Sequence, residues 1–352
     1  MKSITNCIVI AVVCCTLGIL TSCSEQDGLV WPPPPVRAIP AHLPAVPVPS
    51  NNPITPAKVE LGRALFYDPR LSRDGTIACA SCHKPSLAFS DAGRVVSAGV
   101  GGALGSRNSP GLMNVAYQRH FFWDGRASSL EEQAMGAFLH PAEMAADTFA
   151  VAHLLRTTYK QEWRAVFRDT TVTMFRAMQA IATFERTLIS ANTPYDRFVT
   201  GDSNALTPQQ RRGMQLFFSD RTMCAHCHSG PNFTNDEFHN VGLFFHYLDR
   251  GRVIVTRKPD DEALFKTPSL RNVELTAPYM STGDSDKGPM NTLEEVVEHY
   301  NDGGRAFPTK DRRVKKLNLT DAEMAELVAF MRSLTDHTVA TNPLFQKPQL
   351  PQ

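Results

Sequence analysis

The chain has 352 residues, 42% of them hydrophobic, and its 36 basic and 35 acidic side chains leave a formal net charge of +1. That balance excludes an electrostatic footprint for nucleic acid. Roughly 300 residues remain after an N-terminal leader and linker, which suits two domains of about 150 residues each.

Residues 1–22 have the form of a secretory signal, with Lys2 in a short basic start and an apolar stretch from Cys7 to Leu20 that is too short to span a bilayer. Leu20-Thr21-Ser22-Cys23 fits a lipobox, at which the leader is cut and Cys23 takes a diacylglyceryl group. Ordinary cleavage would instead leave Cys23 a free thiol. The expected location is the periplasm, with the chain tied to a membrane, preferentially the outer one, through that lipid alone. Residues 23–56 read as a tether, because Trp31-Pro32-Pro33-Pro34-Pro35 and Pro40, Pro44, Pro47, Pro49 and Pro53 favour an extended polyproline-like chain.

Helix start signals recur after the tether and strand signals are scarce, so the body is expected to be all-α. Thr55-Pro56 caps a helix running toward Phe66, shortly before Cys79-Ala80-Ser81-Cys82-His83. Ser128-Ser129-Leu130-Glu131 is read as a capping box with Gln133 in the second turn of its helix. Thr173 to Ser190, with Phe175, Met178, Ala182 and Ile189, is expected as a long helix closing the first domain, residues 57–200. The second domain, 201–340, repeats the plan: Thr207-Pro208 caps a helix toward Phe218, followed by Cys224-Ala225-His226-Cys227-His228. Thr292-Leu293-Glu294-Glu295 opens a helix whose Leu293, Val296, Val297 and Tyr300 share one face, so Tyr300 should point inward and His299 elsewhere. Thr320-Asp321-Ala322-Glu323 opens another with Leu327, Met331 and Leu334 on one face, and 341–352 is left as a tail.

The two C-x-x-C-H pentapeptides carry the chemistry. In a c-type haem site two thiols add across the porphyrin vinyl groups and the following histidine becomes the proximal iron ligand, which fixes this order and spacing. A zinc site does not require histidine directly after the second cysteine, and a thioredoxin-like pair needs a βαβ context that neither copy has. Two covalent c-type haems are therefore expected, through Cys79, Cys82 and His83 and through Cys224, Cys227 and His228, one in each cytochrome c-like domain. The cysteines then close without remainder, since Cys7, Cys14 and Cys15 leave with the leader and Cys23 takes lipid.

Beyond the haem motifs, Leu61-Gly62-Arg63-Ala64-Leu65-Phe66, Arg107-Asn108-Ser109-Pro110, Phe122-Trp123-Asp124-Gly125-Arg126-Ala127, Phe184-Glu185-Arg186-Thr187-Leu188, Lys266-Thr267-Pro268-Ser269-Leu270-Arg271-Asn272 and Tyr300-Asn301-Asp302-Gly303-Gly304 resemble, in collinear order over about 57–335, the bacterial di-haem cytochrome c peroxidases, including the MauG-type members. The resemblance implies a peroxidatic N-terminal haem on His83, an electron-transfer haem on His228, and Trp123 relaying charge between them. It makes Gln133 and Glu143 the distal-pocket pair, and Asn108, Thr276 and Pro278 the positions around one structural Ca²⁺. Moving a proton between the oxygens of H2O2 suits one carboxylate beside a neutral amide, which makes Glu143 the shuttle and Gln133 the positioner. From the residues alone a solvated carboxylate is the preferred reading of Glu143, Trp123 could be plain core although an indole can also carry a hole, and Asp124 with Arg126 could form a buried pair at the domain interface.

Two departures mark the subtype. Where many members carry a histidine ligand on the loop before R-N-S-P, this chain has Ser97-Ala98-Gly99-Val100-Gly101-Gly102, so the His83 haem is expected to be open at its sixth position in the ferric state. Where many members supply a Met to the second haem, Tyr300 stands, as in MauG-type members; a phenolate lowers the potential where a thioether raises it. Met280 and Met290 remain competing ligands. His42, His120, His140, His153, His239, His246 and His337 have no ligand-like spacing.

The leading expectation is a peroxidase drawing electrons from a small periplasmic cytochrome c or cupredoxin. The alternatives are a MauG-like oxidation of residues in a partner protein and, from a different class, a non-enzymatic di-haem carrier, to which Gln133 and Glu143 would be superfluous. The resemblance leaves a homodimer open.

Overall fold

The computed structural model describes residues 36, 38–280 and 289–352, so the leader and Cys23 lie outside the described residues. Eleven helices form among them: α1 (Pro56–Tyr67), α2 (Cys79–Cys82), α3 (Leu130–Leu139), α4 (Thr148–Thr157), α5 (Lys160–Phe167), α6 (Met174–Glu185), α7 (Pro194–Val199), α8 (Pro208–Phe217), α9 (Val253–Thr256), α10 (Leu293–Asp302) and α11 (Asp321–Arg332). The only strands among the described residues are the antiparallel pair β1 (Phe238–His239) and β2 (Phe265–Lys266), in the register Phe238 to Lys266 and His239 to Phe265.

The expected caps form because a hydroxyl at each start satisfies a free N–H of the first turn. Thr55, Thr207, Thr292 and Thr320 accept from the amides of Lys58, Gln210, Glu295 and Glu323. Two expectations need correction. The cap of α3 is Ser129 rather than Ser128, and it is Glu132 that reaches back to the Ser128 amide at 2.8 Å; Glu131 turns inward to Arg186 instead. The helix expected over 173–190 ends at Glu185, with Phe175 exposed and Ile189 in a separate small cluster with Leu43 and Ala191.

Each half is built on a close helix crossing permitted by glycine. A Cβ on Gly62 of α1 would overlap the Ala180 carbonyl of α6, and one on Gly213 of α8 would overlap the Glu326 carbonyl of α11. Both glycines sit four residues before a buried phenylalanine, Phe66 or Phe217, which anchors its own core cluster. The repeat inferred from the two motifs is thus also a repeat of packing.

The segments expected as tether and tail are partly structural. Buried Asn52 donates to the Glu131 carboxylate and the Gln179 carbonyl, and Lys58 Nζ donates to Asn52 Oδ1 at 3.0 Å. After α11 the chain returns to the first half, where Val339 and Phe345 enter its core and Arg63 donates to the carbonyls of Pro343 and Gln346. Residues 341–352 are therefore a strap over α1.

Candidate functional site: a cavity shared by both cysteine motifs

One cavity of about 520 Å³ is lined by Cys79, Cys82 and His83 from the first half and by Cys224, Cys227 and His228 from the second. Both histidines follow a single tight turn, α2 or the 3-10 turn Cys224–His226, in which the amide of the histidine donates to the carbonyl of the first cysteine at 2.9 Å. The turn puts both thiols and the imidazole on one side of the chain.

The rings are held alike. His83 Nδ1 lies 2.9 Å from the Phe89 carbonyl, and His228 Nδ1 lies 3.1 Å from the Phe233 carbonyl. A carbonyl only accepts, so Nδ1 carries the proton and Nε2 keeps its lone pair. Burial pushes both imidazoles below the ordinary histidine range, His228 to about 4, which keeps them neutral. The Pro110 carbonyl of R-N-S-P also faces the His83 ring and the Pro268 carbonyl of K-T-P the His228 ring, so those two segments do equivalent work in the two halves. Two cysteine thiols and a neutral imidazole with a fixed tautomer fit a covalent c-type haem in each half.

Trp123 lines the same cavity as both motifs. Its Nε1 donates to the Asn108 carbonyl at 3.0 Å within the first half, and its backbone carbonyl accepts from the Lys266 amide of β2 at 2.8 Å, so the indole is held in its own half while the backbone joins the second. The expected Asp124–Arg126 contact exists at 3.0 Å, but Arg126 is 43% exposed and lies over the Phe122 ring. The buried partner of Asp124 is Arg107, at 2.7 Å, and Arg107 also holds Asp249 of the second half at 2.6 and 2.8 Å. Gly125, at φ +70°, has the Phe238 ring of β1 where a side chain would stand.

On the His83 side the cavity wall carries Gln133 from α3 and Glu143 from the turn after it. Burial raises the Glu143 carboxyl above its ordinary value, opposed by His140, whose Nδ1 is 3.7 Å away, and by Arg126. The backbone of Glu143 is clamped: its carbonyl accepts from the Val100 amide at 2.9 Å, the neighbouring Met144 carbonyl accepts from Arg73, and a Cβ on Gly99 would stand 2.6 Å from the Glu143 Cα. Ser97, Ala98 and Gly99 line the cavity there, while Val100 is buried behind them.

On the His228 side the wall includes Tyr300 and Met280, whereas Met290 packs with Leu243 and Phe244 outside the lining. Burial raises the Tyr300 phenol above its ordinary value. His299 is buried as well, but its Nε2 turns to the Val241 carbonyl at 3.0 Å. Asn108, Thr276 and Pro278 line the same cavity, and among the described residues no group of three His, Cys, Asp or Glu side chains is placed to hold a metal ion.

Sequence reasoning set aside two histidines that line this cavity, His140 and His239, the latter bonded through Nδ1 to Asp311 at 2.8 Å. It gave no role to Arg107, Lys266 or Glu185, which also line it. The R-N-S-P, K-T-P and F-E-R-T segments were visible as words; which of their side chains meet at the cavity depends on the long-range contacts of the fold.

Comparison with known proteins agrees with the geometry. Residues 56–204 match the family described as di-haem cytochrome c peroxidase, and residues 192–335 match cytochrome c. The chain is 39% identical to the methylamine utilization protein MauG of Methylorubrum extorquens, over 87% of this chain and 85% of the relative. It is 36% identical to the cytochrome-c peroxidase IdrP1 of Pseudomonas sp. strain SCT, over 84% and 85%. A solved MauG-like protein associated with microbial copper homeostasis superposes with a TM-score of 0.82 at 32% identity, covering 88% of this chain and 98% of that one. With its two cytochrome c-type domains and their paired haem-attachment motifs, the chain belongs to the di-haem cytochrome c peroxidase family.

Proposed function

We propose that the chain reduces hydrogen peroxide beside His83 with electrons that enter beside His228. The observation that carries this reading is the shared cavity, whose wall joins both haem-attachment motifs, Trp123, and the Gln133 and Glu143 pair. The haems, when bound, supply the redox chemistry. Glu143 takes a proton from one oxygen of the peroxide and returns it to the other, which leaves as water, while Gln133 orients the substrate by hydrogen bonding. Trp123, whose indole is held by Asn108 and whose backbone carbonyl is bonded by Lys266 of the second half, passes charge across the domain junction. The external donor is a small periplasmic cytochrome c or cupredoxin.

A second reading has its own support. Tyr300 in the wall near His228 is suited to ligate iron as a hard, anionic phenolate, which favours the oxidised protein and the oxidation of residues in a partner protein. Met280 is the competing ligand on that wall. Export and a lipid anchor on Cys23 rest on the lipobox, and one Ca²⁺ near Asn108, Thr276 and Pro278 rests on the resemblance and on their common place in the cavity wall.

The test is steady-state oxidation of a reduced cytochrome c by the holoprotein and peroxide. Sustained turnover supports the peroxidase reading. A peroxide-induced spectral change without turnover favours oxidation of a partner protein, and a ferric spectrum indifferent to peroxide refutes both in favour of a carrier.

A further inference from the structure

One charged side chain in the cavity has no part in the chemistry above. Glu185, the last residue of α6, is 4% exposed and lines the cavity, and its Oε2 has no hydrogen-bond partner among the described residues. Neighbouring buried carboxylates are paired: Glu131 takes both arms of Arg186 at 2.8 and 2.9 Å, and Asp91 takes Lys84 at 2.7 Å. An ionised carboxylate left unpaired away from water is costly, so this one is poised to hold a proton.

The charged groups packed around Glu185 come from several elements. They are the pair of Glu131 from α3 and Arg186, the residue that caps α6, and the Cys79 thiol of the first motif; Lys58 of α1, whose Nζ is held by Asn52 and the Pro53 carbonyl, faces that pair. Arg63 of α1 pairs with Glu60 and turns to the C-terminal strap. His83 is reached through the chain neighbour Phe184, whose ring meets Phe66, which in turn meets His83. Desolvation dominates and lifts the Glu185 carboxyl to about 8, against the pull of Arg186.

We infer that Glu185 is a redox-linked proton site of the first haem, taking up one proton from solvent when that haem gains an electron and releasing it on oxidation. This rests on the reading of Cys79, Cys82 and His83 as a haem site. The coupling is reciprocal: an added electron makes the surroundings more negative and favours the neutral acid, and the ionised carboxylate favours the oxidised haem by the same amount. Electron and proton enter together, so the site changes no net charge in a region packed among α1, α3 and α6.

The test is spectroelectrochemical titration of the holoprotein from pH 6 to 9, following the N-terminal haem, in the native chain and in Glu185→Gln. The native midpoint should fall around pH 8, with a slope approaching about 59 mV for each tenfold change in proton activity, the one-electron limit. Glu185→Gln should be flat there and coincide with the native protein at pH 6, because the amide mimics the neutral acid. A flat native profile, or equal slopes in both proteins, would overturn the inference. The native protein alone gives a second readout: the infrared difference spectrum on reduction should gain a protonated-carboxyl band, and its absence would also overturn the inference. Failure to find covalently bound haem after denaturation would remove the haem reading itself, and the proposal with it.

Discussion

Arg107 joins the two halves by charged hydrogen bonds. It makes three charge-assisted hydrogen bonds, one to Asp124 beside Trp123 and two to Asp249 of the second half, with side chains that are 14%, 7% and 12% exposed. Arg107→Ala leaves Asp124 with half-exposed Arg126, and leaves Asp249 with the Gly251 amide as its hydrogen-bond partner among the described residues. Removing one partner of a buried pair costs about 3–5 kcal/mol, and at about 2 °C per kcal/mol for a chain of this size the melting temperature should drop by about 6–10 °C. Burial works to raise the Asp249 carboxyl, but its bonds to Arg107 hold it below the ordinary value. A depressed carboxyl contributes stability that is present above the unfolded pKa and lost as pH falls through the folded one, so the gap between native and variant should be full at neutral pH and close only below about pH 4. Arg107→Lys keeps the charge without the fork and should recover less than half of the loss. The assay is thermal unfolding of the holoprotein followed in the haem absorption band, with Arg126→Ala as an exposed control expected to cost under about 1 kcal/mol. A loss below about 1 kcal/mol in Arg107→Ala, or equal losses in the two alanine variants, would refute the argument.

Three further outcomes are expected. Glu143→Gln should slow the reaction with peroxide by about 10²–10⁴-fold; because burial raises this carboxyl and the ionised form accepts the proton, the native rate should fall with acidity at a pH above the ordinary carboxylate range, and the variant should lose that limb. Gly99→Ala forces the clamp on the Glu143 backbone to move and should cost about 1–3 kcal/mol in stability, with a loss of up to about 10²-fold in peroxide rate at unchanged haem content. Stopped-flow rates within about twofold of native would contradict the clamp. Removing residues 337–352 exposes the sites of Val339 and Phe345, at about 1.5–3 kcal/mol for each buried side chain, and should lower the urea midpoint accordingly.

Much of the fold is written locally. The threonine caps, the helices of the repeated plan and the two pentapeptides are determined by side chains within a few residues of one another, where spacing and hydrogen-bonding chemistry suffice. Even there, the shift of the α3 cap to Ser129 depended on a remote partner, since Arg186 draws Glu131 inward and leaves Glu132 to close the box. Likewise the helix over 173–190 stops at Glu185 because its last residues are taken up by other contacts: the Asn114 amide donates to the Leu188 carbonyl, and Asn114 also bonds Ser190.

By itself, then, the sequence determined two haem-attachment sites, a helical body in two repeats, and the residues that set this chain apart, Val100 and Tyr300. Only the tertiary structure decided that both sites open into one cavity, that Met290 stands outside it while Tyr300 and Met280 stand in its wall, that Arg107 rather than Arg126 joins the halves, and that Glu185 is buried with its Oε2 lacking a hydrogen-bond partner among the described residues. The physical reason is separation along the chain. A motif specifies the atoms it contains, whereas desolvation and charge pairing depend on side chains brought together from segments over a hundred residues apart, as Arg107 and Asp249 are.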